Sequence, residues 1–184
     1  MRRSELAHIL RAAATIAQDP EVVILGSQSI LGTWDEDDLP DEAVGSVEAD
    51  VAFWGPDGQL KADLVDGAIG EDSGFHQLNG YYPQGVGLEV AVLPDGWRGR
   101  VRVWSNLSSA PGRAHCLEPH DLAVAKLVAW REKDRDFVEA LLDCRLLLPD
   151  VLLERLKHTS MPPPHRRRLT AWVTAVATRA ATGD

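Results

Sequence analysis

The amino-acid sequence predicts an α+β protein: a small mixed β-sheet backed by helices, followed by a C-terminal helical subdomain. Three observations support this. Short β-rich runs cluster between residues 22 and 104. From Pro119 onward apolar residues recur at three- and four-residue intervals, the period of a helix with one covered face. The first twenty residues carry the same period, so a helix precedes the sheet. The change of pattern divides the chain into a core over 1–118 and a helical part over 119–184. A cleft between the two is the natural place for a ligand.

Taken in order, Ser4 is the expected N-cap of a first helix whose apolar stripe is Leu6, Ile9, Leu10, Ala13, Ile16 and Ala17, and Asp19-Pro20 ends it. "EVVIL" at 21–25 is a continuous apolar run, the mark of a strand covered on both faces, and it stops on Gly26 and Ser27. Acids, Pro and Gly make 33–45 a loop. "VEADVAFW" at 47–54 alternates, so Glu48, Asp50 and Ala52 share one face of a strand. A short helix is expected over Leu60–Ile69, then an irregular Gly- and Tyr-containing stretch, "GEDSGFHQLNGYYPQG". "VGLEVAVL" and "RVRVW" read as two further strands joined through the turn residues of "PDGWRG". In the helical part Leu122, Ala125, Leu127, Ala129 and Trp130, then Phe137, Leu141 and Leu142, keep helical spacing. Pro149 opens another helix, Pro162 to Pro164 break it, and a last helix covers 166–181.

A chain of 184 residues suits one domain, or one with a small appendage, and its 45% hydrophobic and 26% charged residues are ordinary globular usage. Cys116 and Cys144 form no CxxC pair and no disulfide framework, which fits a reducing compartment. The basic opening is followed by helical alternation and not by the unbroken apolar stretch of a signal peptide, and no run reaches membrane-spanning length. The expectation is a soluble, cytoplasmic protein with no membrane partner. A net charge of -9 argues against a general nucleic-acid coat. The basic residues concentrate in "RLKHTSMPPPHRRRL", which reads as a solvated helix flank or a local contact for RNA or a partner.

The chemistry lies in the sheet. Glu48 and Asp50, two apart on one strand, point the same way, about 6 to 7 Å apart along the chain. Two like charges facing one spot need water or a cation between them, and Mg2+ is the hard cation that takes one or two carboxylates and leaves other positions to water and phosphates. By itself an acid-x-acid pair also fits a solvated strand face. A strand ending in Gly26-Ser27 offers backbone N–H groups and a hydroxyl where a phosphate can rest. Glu89, in "VGLEVAVL", supplies a third acid on a neighbouring predicted strand. Three carboxylates beside a phosphate cradle are the equipment of metal-assisted phosphoryl or nucleotidyl transfer.

"LGSQSILG" followed by "SVEADVAF" resembles the nucleotidyltransferase superfamily, the polymerase-beta-like fold, whose signature is a Gly-Gly or Gly-Ser turn and then an acid-x-acid strand. The wider string "GSQSILG … EADV … GEDSGFHQLNGYYPQGV … LPDGWRGRV … PHDLAVAKLVAWREKDRDFV", roughly residues 20 to 145, looks like a bacterial nucleotidyltransferase-like family, distantly similar to AbiEii-type toxins. The resemblance implies that Gly26 and Ser27 hold nucleotide phosphates, that Glu48 and Asp50 bind Mg2+ with Glu89 as the third catalytic acid, that Lys126 contacts nucleotide or phosphate, and that Asp134 matches a later aspartate. It implies an NTP substrate, an acceptor that is a protein, an RNA or a small molecule, and a cognate toxin or antitoxin as partner. The chain departs from the pattern in three ways: an acidic loop lengthens the gap between Ser27 and Glu48, Glu stands where Asp is usual at the first metal position, and Glu again stands at the third, Glu89.

Residue spacing alone leaves several side chains open. Lys126 is on a helix whose other side is strongly apolar, so it reads equally as a surface lysine. Arg131, Lys133, Asp134, Arg135 and Asp136 read as exposed helix pairs. His76 reads as a structural hydrogen-bonder or a phosphate or sugar contact, and Tyr81 and Tyr82 as packing or a base platform. His115, Cys116 and His120 lack a fourth ligand at zinc-site spacing. No GxxxxGK[ST], GxGxxG or GxSxG motif occurs.

Overall fold

The computed structural model describes residues 1–182; residues 183 and 184 of the helical part lie outside them. The fold is α+β, with a five-stranded mixed sheet backed by helices.

Helix α1 (Arg3–Ala17) buries Leu6, Ile9, Leu10, Ala13 and Ala17. It starts two residues earlier than Ser4 predicts, with Arg2 as N-cap and the Glu5 carboxylate accepting from the Arg2 N–H at 2.7 Å. Strand β1 (Glu21–Ile24) follows, and Val22, Val23 and Ile24 are all 0% exposed, so both faces of the sheet are covered there. The Gly-Ser stop opens a 3-10 helix, Ser27–Gly32. The acidic loop holds a single turn at Glu36–Asp38 and the short helix α2 (Asp41–Val44) before β2 (Glu48–Phe53). Helix α3 (Gly58–Ile69) then leads to two elements with no periodic signal, α4 (Gly74–Asn79) and β3 (Tyr82–Gly85).

The strand expected over 86–93 does not form. This segment leaves the sheet after Val86 N–H donates to Val51 O at 2.9 Å, and it contains only a 3-10 turn at Leu88–Val90. Its alternation reports one covered face, which a strap across a cavity needs as much as a paired strand does. A further turn at Trp97–Gly99 leads to β4 (Arg102–Trp104) and β5 (Arg113–Cys116). The sheet order is β3-β2-β1-β5-β4, with β1 antiparallel to β2 and parallel to β5, and β2 parallel to β3.

The remaining helices are α5 (Pro119–Ala129), α6 (Glu132–Asp143), α7 (Pro149–Lys157) and α8 (Pro163–Thr182). Trp130, with φ 58°, ends α5 in the left-handed conformation and turns the chain sharply into α6. Pro163 begins α8, in whose first turn its missing N–H costs nothing. The basic run is partly architectural: Arg166 donates to Leu156 O and Thr159 O at 3.2 and 2.8 Å, closing the turn between α7 and α8. One continuous hydrophobic core joins the sheet to these helices, from Leu6 and Val23 through Leu127 and Leu141 to Val173. No helix among the described residues is long and apolar enough to cross a membrane.

Candidate functional site

The site begins where β1 ends. The Leu25 N–H donates to Asp50 O at 3.1 Å, continuing the antiparallel pairing one step past the strand. The chain then turns, and two buried polar side chains pin the turn. Ser29 Oγ donates to Ile24 O and accepts from the Leu117 N–H at 3.0 Å, while Gln28 donates to Ser46 O at 3.0 Å. Ser27 is left facing a cavity of about 790 Å³.

Gly26 answers a specific steric demand. Its φ of −83° suits any residue, but a Cβ there would lie 1.9 Å from Asp50 Oδ2. The Asp50 carboxylate occupies the space that a side chain would fill, which ties the Gly-Ser turn to the acid-x-acid strand. Glu48 and Asp50 lie on the cavity side of β2, while Ala49 between them is 0% exposed. Tyr82 donates to Glu48 Oε2 at 3.3 Å. Burial, then the Glu48 charge, pushes the Asp50 carboxyl above its ordinary value, and Lys126, Arg131 and Lys133 pull against that rise. Among the described residues the Asp50 carboxylate has no hydrogen-bond or ion-pair partner.

Lys126 is no surface lysine. It is 9% exposed, and its Nζ donates to Ser27 Oγ at 2.9 Å, 99 positions away in sequence, and to Asp134 Oδ1 at 3.3 Å. It also sits 4.4 Å from the centre of the Phe137 ring. Burial lowers the Lys126 pKa, against the upward pull of Asp134. Asp134, read from sequence as part of exposed helix pairs, is 0% exposed. Burial alone would raise its carboxyl, but Arg131, at 2.6 and 3.2 Å, and Lys126 together hold it below the ordinary value. At Lys126 burial outweighs the pull of Asp134 and Asp50, whereas at Asp134 the two cations together outweigh burial. Arg131 and Lys133 also line the cavity, carried there by the Trp130 turn.

Of the residues singled out from sequence, Gly26, Ser27, Glu48, Asp50 and Lys126 meet in this cavity, whereas Glu89 and His76 do not line it. Glu89 is exposed on the 3-10 turn, with Oε1 2.2 Å from where a Cβ on Gly87 would stand, so it folds back along its own strap. The expected trio of acids is therefore not assembled. Among the described residues no three His, Cys, Asp or Glu side chains group as metal ligands. His76 accepts from the Asp72 N–H at 3.1 Å and packs on the Tyr82 ring at 4.4 Å, a structural role one contact removed from Glu48. Tyr81 shares a hydrogen bond of 2.9 Å with His8. His115 pairs with Glu21, and His120 with Glu118, so these two and the buried Cys116 are not a metal cluster.

Sequence reasoning missed Gln84, which lines the cavity and is paired in register with Asp50. "YPQG" carries no strand signal, so nothing pointed to it. Asp134 did leave a trace: it stands three and seven residues before Phe137 and Leu141, on the face that α6 buries.

The residues present fit a single hard cation: two oxygen-donor side chains on one strand, one of them half-buried and without a partner, beside a hydroxyl and fixed positive charge for an anion. Comparison of the chain with models of known protein families, with curated proteins and with solved structures finds no match in any of the three.

Proposed function

We propose that the protein is a Mg2+-dependent nucleotidyltransferase that moves an NMP group from an NTP to an acceptor hydroxyl. The observation that carries this reading is the convergence of Ser27, Lys126, Glu48 and Asp50 in one cavity from three distant stretches of chain. Phosphoryl-type transfer asks little covalent chemistry of a protein and depends on position and charge, which is what these residues supply.

Glu48 and Asp50 would hold the cation, which when bound neutralises charge on the triphosphate and lowers the pKa of an oxygen bound to it. Lys126 and Ser27 bind phosphate oxygens, with Lys126 held in place by Asp134 and Phe137. Arg131 and Lys133 attract the polyphosphate from the rim. In the reaction the acceptor hydroxyl gives up its proton to solvent, its oxygen bonds to the α-phosphorus, the bond from that phosphorus to the β-phosphate oxygen breaks and pyrophosphate leaves.

A second reading is favoured by one observation, the missing third acid. A catalytically silent member of the same fold would bind nucleotide or a protein partner without turnover, as one half of a toxin-antitoxin pair. Incubation with radiolabelled NTPs, Mg2+ and cell extract tests both. The enzyme should label an acceptor, and Asp50→Asn should abolish labelling while its circular dichroism stays native. Labelling that survives Asp50→Asn removes the mechanism; nucleotide binding without any labelling supports the silent member.

A further inference from the structure

We infer that the cavity takes one divalent cation and not two, with the neutral Gln84 standing where a third carboxylate would serve a second ion, and with Lys126, Arg131 and Lys133 supplying the missing positive charge. This rests on the nucleotidyltransferase reading and deepens it.

Strand pairing supplies the first argument. In the parallel ladder between β2 and β3, Glu48 is paired with Tyr82 and Asp50 with Gln84. Side chains paired across neighbouring strands project to the same face, so these are the cross-strand neighbours of the two acids. Both are neutral. On the other side of β2 the chain presents Leu25 and Gly26, also neutral. Two ions held about 3.5–4 Å apart need one carboxylate that bridges them and a further one for each, and a pair of acids falls one short. Glu89, the remaining acid in the neighbouring strap, is turned back toward Gly87. Asp41 and Glu42 line the cavity from α2 but form no three-acid group with the pair.

The second argument is fixed charge. Lys126, Arg131 and Lys133 all act on Asp50, and among the described residues Asp134 is the one acid paired with any of them. A second mobile cation would enter next to this positive charge at a cost in repulsion. The fixed cations already do what that ion would do for the phosphates, because ammonium and guanidinium groups bind phosphate oxygens directly.

The test counts ions. Full-length protein with a non-hydrolysable NTP analogue is titrated with Mn2+, and bound ion is read by electron paramagnetic resonance. One Mn2+ per nucleotide-loaded chain is expected for the wild type, and two for Gln84→Asp. Gln84 is exposed, so the variant should fold; Gln84→Glu repeats the test if it does not. Two ions on the wild type overturn the inference and leave the nucleotidyltransferase reading intact. One ion on the wild type and on both variants removes Gln84 from the account. No analogue-dependent Mn2+ at all, with Asp50→Asn indistinguishable from wild type, removes the reading itself.

Discussion

Helix α5 carries two buried charge clusters, built to different specifications. In its first turn Asp121, 0% exposed, accepts from Arg100 at 2.8 and 3.0 Å and pairs with Arg155 at 3.2 Å. None of these three lines the cavity. They clamp α5 to α7 and to the loop that precedes β4, and the adjoining Asp95 N–H to His158 O bond of 2.8 Å fixes the end of the strap whose Val90 and Val92 face the cavity. Near the C-terminal end of the helix, Lys126 and Arg131 share Asp134, and what they do not spend on it is turned toward Ser27 and the unpartnered Asp50. The first cluster is closed and serves architecture. The second is open on one side, and an open buried cluster keeps charge in reserve for a ligand.

Cutting the closed cluster should have the largest effect. Asp121→Ala leaves two guanidinium groups without their shared carboxylate. Breaking a buried pair on one side costs about 3–5 kcal/mol, and because Arg100 and Arg155 keep 24% and 27% exposure, about 3 kcal/mol is expected. Urea unfolding measures it, with nucleotide affinity of the folded fraction unchanged within about threefold, inside the typical scatter of such effects. A cost under about 1 kcal/mol, the level of a surface pair, would remove the distinction between the clusters.

The open cluster should respond the other way. Lys126→Met keeps the volume, removes a charge that burial disfavours and leaves Asp134 with Arg131, so stability should hold within about 1 kcal/mol while NTP affinity falls by about tenfold or more. Acidity gives an independent check. The folded Lys126 pKa is lowered, so between that value and the ordinary lysine value the unfolded chain binds more protons and stability rises with pH. Phosphate binding needs the ammonium form, so affinity falls across the same interval. Parallel unfolding and NTP titrations from neutral pH upward should show these opposite slopes in the wild type and lose this contribution to both in Lys126→Met. Slopes of the same sign would show that Lys126 is structural, like Asp121.

The two clusters also mark what the sequence makes legible. β1, β2 and α1 are readable because a continuous or alternating apolar pattern is local, and Gly26, Ser27, Glu48 and Asp50 ride on those elements. Lys126 is identified by resemblance, but its burial is not visible, because it depends on Phe137 and Asp134 arriving from the next helix after the Trp130 turn. Glu89 fails for a related reason. Alternation in "VGLEVAVL" shows that one side is covered and says nothing of the neighbour, and the neighbour is a cavity. β3 is legible only through its pairing with β2, a long-range fact, so Gln84 and the loss of the third acid are hidden with it. The Asp121 cluster is likewise invisible, since Arg100 and Arg155 reach it from loops and helices far along the chain.

Gly26→Ala is the smallest perturbation and the one that addresses Asp50 alone. At Gly112 a Cβ would press on the Leu10 backbone carbonyl at 2.4 Å, which cannot yield without moving α1. At Gly26 the obstacle is the Asp50 side chain, Oδ2 at 1.9 Å and Cγ at 2.8 Å, which can rotate away. The strain of an off-rotamer side chain is about 0.5–1.5 kcal/mol, so the melting temperature should fall only slightly. The carboxylate, however, can no longer lie across the turn beside Glu48, and Mn2+ affinity should drop by about tenfold, the factor that 1.4 kcal/mol of lost binding energy produces. Unchanged Mn2+ affinity would mean that the position of Asp50 over Gly26 is incidental. A collapse in stability would instead make Gly26 a residue of the fold, and the open cluster would lose the acid it faces.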